Sequence, residues 1–181
     1  MNLLTYVLIL IICIGLIVIW WITIYNRFQG YIIRINEAES NIDATLRKRF
    51  DLLNKSINII EAVCSNEKDV LDIILKLKSK KISNFEFDRK LFEAINEFNS
   101  YKDKYQELKS NENFIKIDLG LNESETELEA FRKYYNDIIT DYNKMISAFP
   151  ANIVARNCKY EIKAYFDGKD MYDKDTKDFK V

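Results

Sequence analysis

Asp43, Arg47 and Asp51 stand four residues apart, and on a helix that spacing sets a cation between two carboxylates along one face. Such side chains can form an ion-pair network. Carboxylates that instead face one another across a cleft of about 5 to 9.5 Å can work as the acid and base of a hydrolase. Other chemistry is out of reach. The chain has no histidine, which excludes Ser-His-Asp and Cys-His catalysis and imidazole ligation of zinc or haem. Cys13, Cys64 and Cys158 show neither C-x-x-C spacing nor a disulfide framework, and read as one lipid-facing residue and two small core hydrophobes. Asp170, Asp173, Asp175 and Asp178 invite a calcium reading, yet they miss the EF-hand spacing and have lysines between them. No metal or other cofactor is expected. With 27 Lys and Arg against 28 Asp and Glu, the net charge is −1, which argues against a nucleic-acid partner held through phosphates.

The elements that would carry these side chains are helices. Four glycines and one proline are too few for a turn-rich β-sandwich. From Leu3 to Tyr25 no residue is charged; as a helix the run spans roughly 34 Å, enough for a hydrocarbon core of about 30 Å. Trp20, Trp21 and Tyr25 close it, where an interfacial aromatic belt belongs. A cleaved signal peptide would want a basic start and small residues before the cut; here the first basic residue is Arg27 and Gly15 is the one small residue in an Ile/Leu tract. Residues 1–25 are therefore expected to be an uncleaved transmembrane anchor. Arg27 and Arg34 follow the run while Met1 and Asn2 carry no side-chain charge. The positive-inside rule then puts the N-terminus outside and the rest of the chain in the cytoplasm of a single-pass membrane protein.

Beyond the anchor, Ile35, Ala38, Ile42, Leu46, Phe50, Leu53, Ile57, Ile60 and Cys64 recur at intervals of three or four, predicting one long helix that Gly30 alone could bend. Val70 to Leu77 predict a short helix, with Lys76, Lys78, Lys80 and Lys81 as a solvated exit. Asn84 is placed to cap a helix bearing Phe87, Leu91, Ile95, Phe98, Lys102, Tyr105 and Leu108. Residues 109–120 read as a connector anchored by Phe114, Ile117 and Leu119, with Gly120 at a turn of positive φ. Ser124 and Glu127 have the spacing of a capping box that opens the last long helix. Its stripe of Leu128, Phe131, Tyr135, Ile138, Tyr142, Met145 and Phe149 is ended by Pro150. One more short helix is expected around Ile153, Val154, Tyr160, Ile162, Tyr165 and Phe166. The fold class is thus all-α: an N-terminal transmembrane helix, an antiparallel bundle of about four helices over residues 26–166, and a charged tail over 167–181 that is expected to be disordered.

Several segments, taken in order, resemble the LemA family of small bacterial proteins with a membrane helix and a helical bundle. They are Tyr25-Asn26; the run from Asn41 through Ile42-Asp43, Leu46 and Arg47-Lys48-Arg49 to Phe50-Asp51-Leu52; the connector Tyr105 to Phe114; then Arg132, Tyr135-Asn136, Tyr142-Asn143, Phe149-Pro150-Ala151-Asn152 and Ala164-Tyr165-Phe166. The match spans nearly the whole chain. Departures are Glu39 for a usual Trp, Asn54 and Gln106 for usual prolines, and Lys159-Tyr160 for a usual Gly-Phe pair.

The resemblance implies the fold and the anchor but no catalytic residues or cofactor. It also picks out polar residues: Asn26, Asp43, Arg47, Arg49, Asp51, Asn111, Asn113, Arg132, Tyr135, Asn136, Tyr142, Asn143 and Asn152. Their roles are expected to be a network inside the bundle and helix caps, in preference to a partner site. The function expected is a membrane-anchored scaffold or adaptor, not an enzyme, with the lipid bilayer and a membrane or cytoplasmic protein as partners and self-association open. A membrane-associated hydrolase using carboxylates without metal is the alternative.

Overall fold

A computed structural model describes residues 2–63 and 83–166. The short helix expected from Val70, the four lysines after it, Cys64 and the C-terminal tail lie outside the described residues. Those that are described form helices and no strands: α1 (Leu3–Val63), α2 (Asn84–Lys104), α3 (Gln106–Ser110), α4 (Glu112–Ser147) and α5 (Ala151–Asn157). The chain divides into two compact units, Met1–Glu37 with Asn136–Ala164, and Ala38–Tyr135 with Tyr165–Val181.

α1 is a single helix through Gly30. A Cβ at Gly30 would meet nothing within 4 Å, so no packing demand bends the chain there. The helix changes character along its length. Its N-terminal part reaches a mean hydropathy of 3.1 over 18 residues, none of them buried. It is long and apolar enough to cross a membrane. From Phe28 onward, the stripe of Ile35, Ala38, Ile42, Leu46, Leu53, Ile57 and Ile60 is buried, at the three- and four-residue intervals that give a helix one apolar face.

In the unit that begins at Ala38, contacts set the directions of the helices. Lys48, Arg49 and Leu52 of α1 meet Glu127, Glu125 and Gly120 of α4, a descending series that makes the two antiparallel. α2 also runs against α4, because Asp88 meets Arg132 while Phe98 stacks on Phe114 at 4.5 Å and Lys102 reaches Asp118 at 2.6 Å. The lysine on the apolar face of α2 therefore ends in an ion pair across to α4.

Five helix boundaries differ from expectation. α2 ends at Lys104, where Tyr105 turns extended, so Leu108 falls on α3. Ser83 caps α2 in place of Asn84: its backbone is extended and its Oγ accepts the Glu86 N–H. α4 starts at Glu112 rather than Ser124, because Asn111 Oδ1 accepts the N–H groups of Asn113 and Phe114 at 3.0 and 3.1 Å and so satisfies two donors left open by the first turn. Ser124 is consequently interior and buried, its hydroxyl donating to the Leu121 carbonyl at 2.7 Å. Gly120 is helical as well. Its role is close approach: a Cβ there would stand 3.1 Å from Leu52 Cδ1. Once the connector is helical, Phe114 and Ile117 are buried but Leu119 turns outward. At the far end, α4 stops at Ser147 and Pro150 precedes α5. Phe149 thereby leaves the apolar face and is 80% exposed. α5 takes in Ile153 and Val154, whereas Tyr160 to Phe166 are not helical.

The two helical glycines should respond oppositely in thermal unfolding of the detergent-solubilised protein. Gly30→Ala is expected to raise stability by about 0.5–1 kcal/mol through helix propensity alone. Gly120→Val is expected to lower it by about 1–3 kcal/mol through overpacking against Leu52.

Candidate functional site

Three charged residues interrupt the buried stripes. Arg49 lies between Leu46 and Leu53, Asp88 precedes Leu91, and Arg132 follows Leu128, each at a three- or four-residue interval that aims it inward. Arg49 and Asp88 are only 3% exposed. With Glu125 they close a ring. Arg49 bonds Glu125 at 2.5 Å and faces Asp88 at 3.9 Å; Arg132 bonds Asp88 and reaches Glu125 at 3.5 Å. Two cations and two anions from α1, α2 and α4 thus neutralise one another. The Arg132 guanidinium also lies 5.6 Å from the Phe166 ring centre, within cation–π range. Burial pushes the Asp88 carboxyl above its ordinary value of 3.8, outweighing the pull of Arg132 and Arg49, while Glu125 adds to the rise. The Nε atoms of both arginines are buried with no hydrogen-bond partner among the described residues.

The ring is suited to holding three helices in register. Both carboxylates are occupied by guanidinium groups instead of facing a cleft. The buried hydroxyls of Thr45, Ser56 and Ser124 donate to carbonyls of their own helices. No group of three or more Cys, Asp or Glu is placed to hold a metal among the described residues.

The polar residues picked out by the sequence fall into separate settings. Asp43 and Arg47 do pair, at 2.7 Å, but on the surface, with the arginine side chain 72% exposed; their pairing raises the Arg47 pKa, the hydrogen bond to Asp43 first. Asp51 is exposed, and its charge adds to the rise at Arg47. The Asp43–Arg47–Asp51 face is therefore not the bundle-internal network expected of it: that network is Arg49 and Arg132 with Asp88 and Glu125. Asn113 is exposed, and its backbone N–H is what Asn111 caps. Tyr135 is buried edge-on to Phe166.

The remaining ones belong to the unit that includes the N-terminus. Asn143 clamps the segment after α5: its Nδ2 donates to the Lys163 carbonyl at 2.8 Å and its Oδ1 accepts the Lys163 N–H at 3.0 Å. Tyr142 is 2% exposed and meets Phe28 edge-on at 6.0 Å. Phe28 in turn packs 4.8 Å from Tyr160, whose hydroxyl accepts from Gln29 at 2.8 Å. Burial raises the hydroxyl pKa of both Tyr142 and Tyr160. Asn136 is half-buried, its carbonyl accepting from Thr140, and Asn26 is exposed on α1. Asn152 has a buried Oδ1 with no donor among the described residues. It lines a recess of about 720 Å³ together with Trp21, Phe149, Ile153, Arg156 and Lys159. Asp88, Glu125 and the recess were not singled out from the sequence. A carboxylate on the Leu91–Phe98 stripe was the available signal for Asp88; the recess had none, since it joins residues far apart in the chain.

The family model described as the LemA family matches residues 38–180. That is most of the chain, which belongs to this family. The match takes in the whole charged ring and leaves the apolar run before Asn26 outside. No curated protein matches the sequence.

Removing one member of the ring should strand the others. Asp88→Ala is expected to cost about 3–5 kcal/mol in thermal or urea unfolding, since Arg49 and Arg132 are then left to share Glu125 with one positive charge uncompensated. Asp43→Ala should leave the melting temperature essentially unchanged, because exposed pairs contribute little. The pH dependence has a definite sign. A carboxyl whose pKa is raised on folding favours the folded state below that raised value and loses the advantage as pH climbs through it. The stability of the wild type relative to Asp88→Asn should therefore fall as pH rises from the ordinary aspartate range, and flatten above it.

Proposed function

We propose that this LemA-family protein is a membrane-anchored helical scaffold or adaptor of a bacterial envelope, and that it does no covalent chemistry of its own. The observation carrying the proposal is the closure of the ring: among the described residues the buried charges, Arg49 and Asp88, are committed to each other, to Glu125 and to Arg132, so they serve the fold and not a substrate. Anchoring is supported by an apolar run with none of its residues covered by protein. In water such a surface would be far beyond what a soluble chain exposes; in a bilayer it needs no cover. The exposed Arg27 and Arg34 after the run support a cytoplasmic bundle and an outside N-terminus. On this reading partners are met by the exposed polar surface, where Asp43, Arg47 and Asp51 share a face.

Two measurements test it. A cysteine at the exposed position Glu123, as Glu123→Cys, should resist a membrane-impermeant thiol reagent in intact cells and label after permeabilisation; labelling of intact cells contradicts the topology. Crosslinking in native membranes followed by mass spectrometry should capture a recurrent protein. Asp43→Ala with Asp51→Ala should reduce that capture severalfold while leaving the melting temperature unchanged. Capture that is indifferent to these substitutions contradicts this face as the partner surface.

A further inference from the structure

The recess beside Trp21 combines features that the scaffold reading does not use. Phe149 is 80% exposed and Ile153 50% exposed, so two large apolar side chains at its rim have no protein cover. Arg156 and Lys159 are exposed, and neither is ion-paired among the described residues. The backbone at Lys159 adds a cost. Its φ is 58°, the left-handed conformation that glycine adopts freely and other residues do not. There it closes α5, with its own N–H bonded to the Arg156 carbonyl and the Tyr160 N–H to the Ala155 carbonyl. This is the helix-ending turn in which glycine is usual. A lysine has taken the strained position, and its side chain lines the recess.

Trp21 fixes the level of this surface. It lies at the end of the apolar run, the depth at which tryptophan marks the membrane–water boundary, and it lines the same recess as Arg156 and Lys159. Apolar side chains beside cations at that depth match a bilayer surface. Phe149 and Ile153 can enter the acyl boundary while the arginine and lysine meet phosphate. The volume of about 720 Å³ is within the range of small-molecule sites.

We propose that this recess is a headgroup site for an anionic phospholipid of the bilayer that holds α1, a second membrane contact beside the span. It rests on the reading of residues 3–25 as a membrane anchor. Arg156 and Lys159 take the lipid phosphate, and Phe149 and Ile153 insert beside it.

The test uses the full chain in phosphatidylcholine nanodiscs, with and without phosphatidylglycerol. The photoreactive residue p-benzoylphenylalanine replaces Leu16 in one variant and Phe149 in another. Position 16 is expected to give lipid adducts in both nanodiscs. Position 149 should give adducts that increase severalfold with phosphatidylglycerol. Adding Arg156→Gln and Lys159→Gly should remove that increase, by about fivefold for each cation lost. Lys159→Gly should melt no lower than the wild type, so a loss of adducts is not a loss of fold. Lipid adducts at 16 but none at 149, adducts at 149 indifferent to phosphatidylglycerol, or adducts at 149 to a second protein chain would each overturn the headgroup site and leave the anchor standing. No lipid adduct at position 16 would overturn both.

Discussion

Two guanidinium and two carboxylate groups closed on one another, with Arg49 and Asp88 buried and Glu125 and Arg132 at the edge, are the constraint from which most of this structure follows. A buried charge is tolerated only with a partner, and a buried pair only when the geometry is good. Arg49, Asp88, Glu125 and Arg132 come from α1, α2 and α4, so satisfying any one of them fixes the register of three helices. The apolar stripes beside them could slide by a turn at modest cost. The ring could not, because a displaced helix would leave an arginine buried without a carboxylate. Gly120 adds a steric demand, since a Cβ there would crowd the Leu52 side chain at 3.1 Å.

On the proposal of a membrane anchor, α1 serves two environments with one continuous hydrogen-bonded helix. Up to the tryptophans it is apolar around its whole circumference, and none of that stretch is covered; from Phe28 it is amphipathic, with one stripe buried. No interruption is required, because a helix satisfies its own backbone in either surrounding. What changes is only which side chains are apolar. On the proposal of a headgroup site, the exposed Phe149 and the basic Arg156 around α5 extend the same logic.

The all-helical class, the long α1 and its stripe were legible in the sequence, because each rests on periodicity. Boundaries decided by hydrogen bonds were harder. Ser124 has the right neighbours for a cap, but Asn111 captures the open donors of the first turn thirteen residues earlier, and the helix then runs through Gly120. For the site, helical spacing correctly paired Asp43 with Arg47, yet spacing within one helix says nothing of burial, and that pair is on the surface. The ring needs residues from three helices brought together by packing. Its one local trace was a charge at an apolar stripe position, as at Arg49 and Asp88. Asn143 matched the family pattern, but its clamp on the Lys163 backbone depends on a segment whose path no periodicity encodes.

The scaffold proposal rests on the claim that the ring of Arg49, Asp88, Glu125 and Arg132 serves the fold. The most direct measurement of that claim is the stability of a variant in which the whole ring is replaced by apolar residues of similar size: Arg49→Met, Asp88→Leu, Glu125→Met and Arg132→Met together. If the ring is a closed structural device, the quadruple variant should unfold at or above the wild-type temperature, recovering what Asp88→Ala alone loses, because no charge is left stranded. A quadruple variant as unstable as the single one would contradict the account.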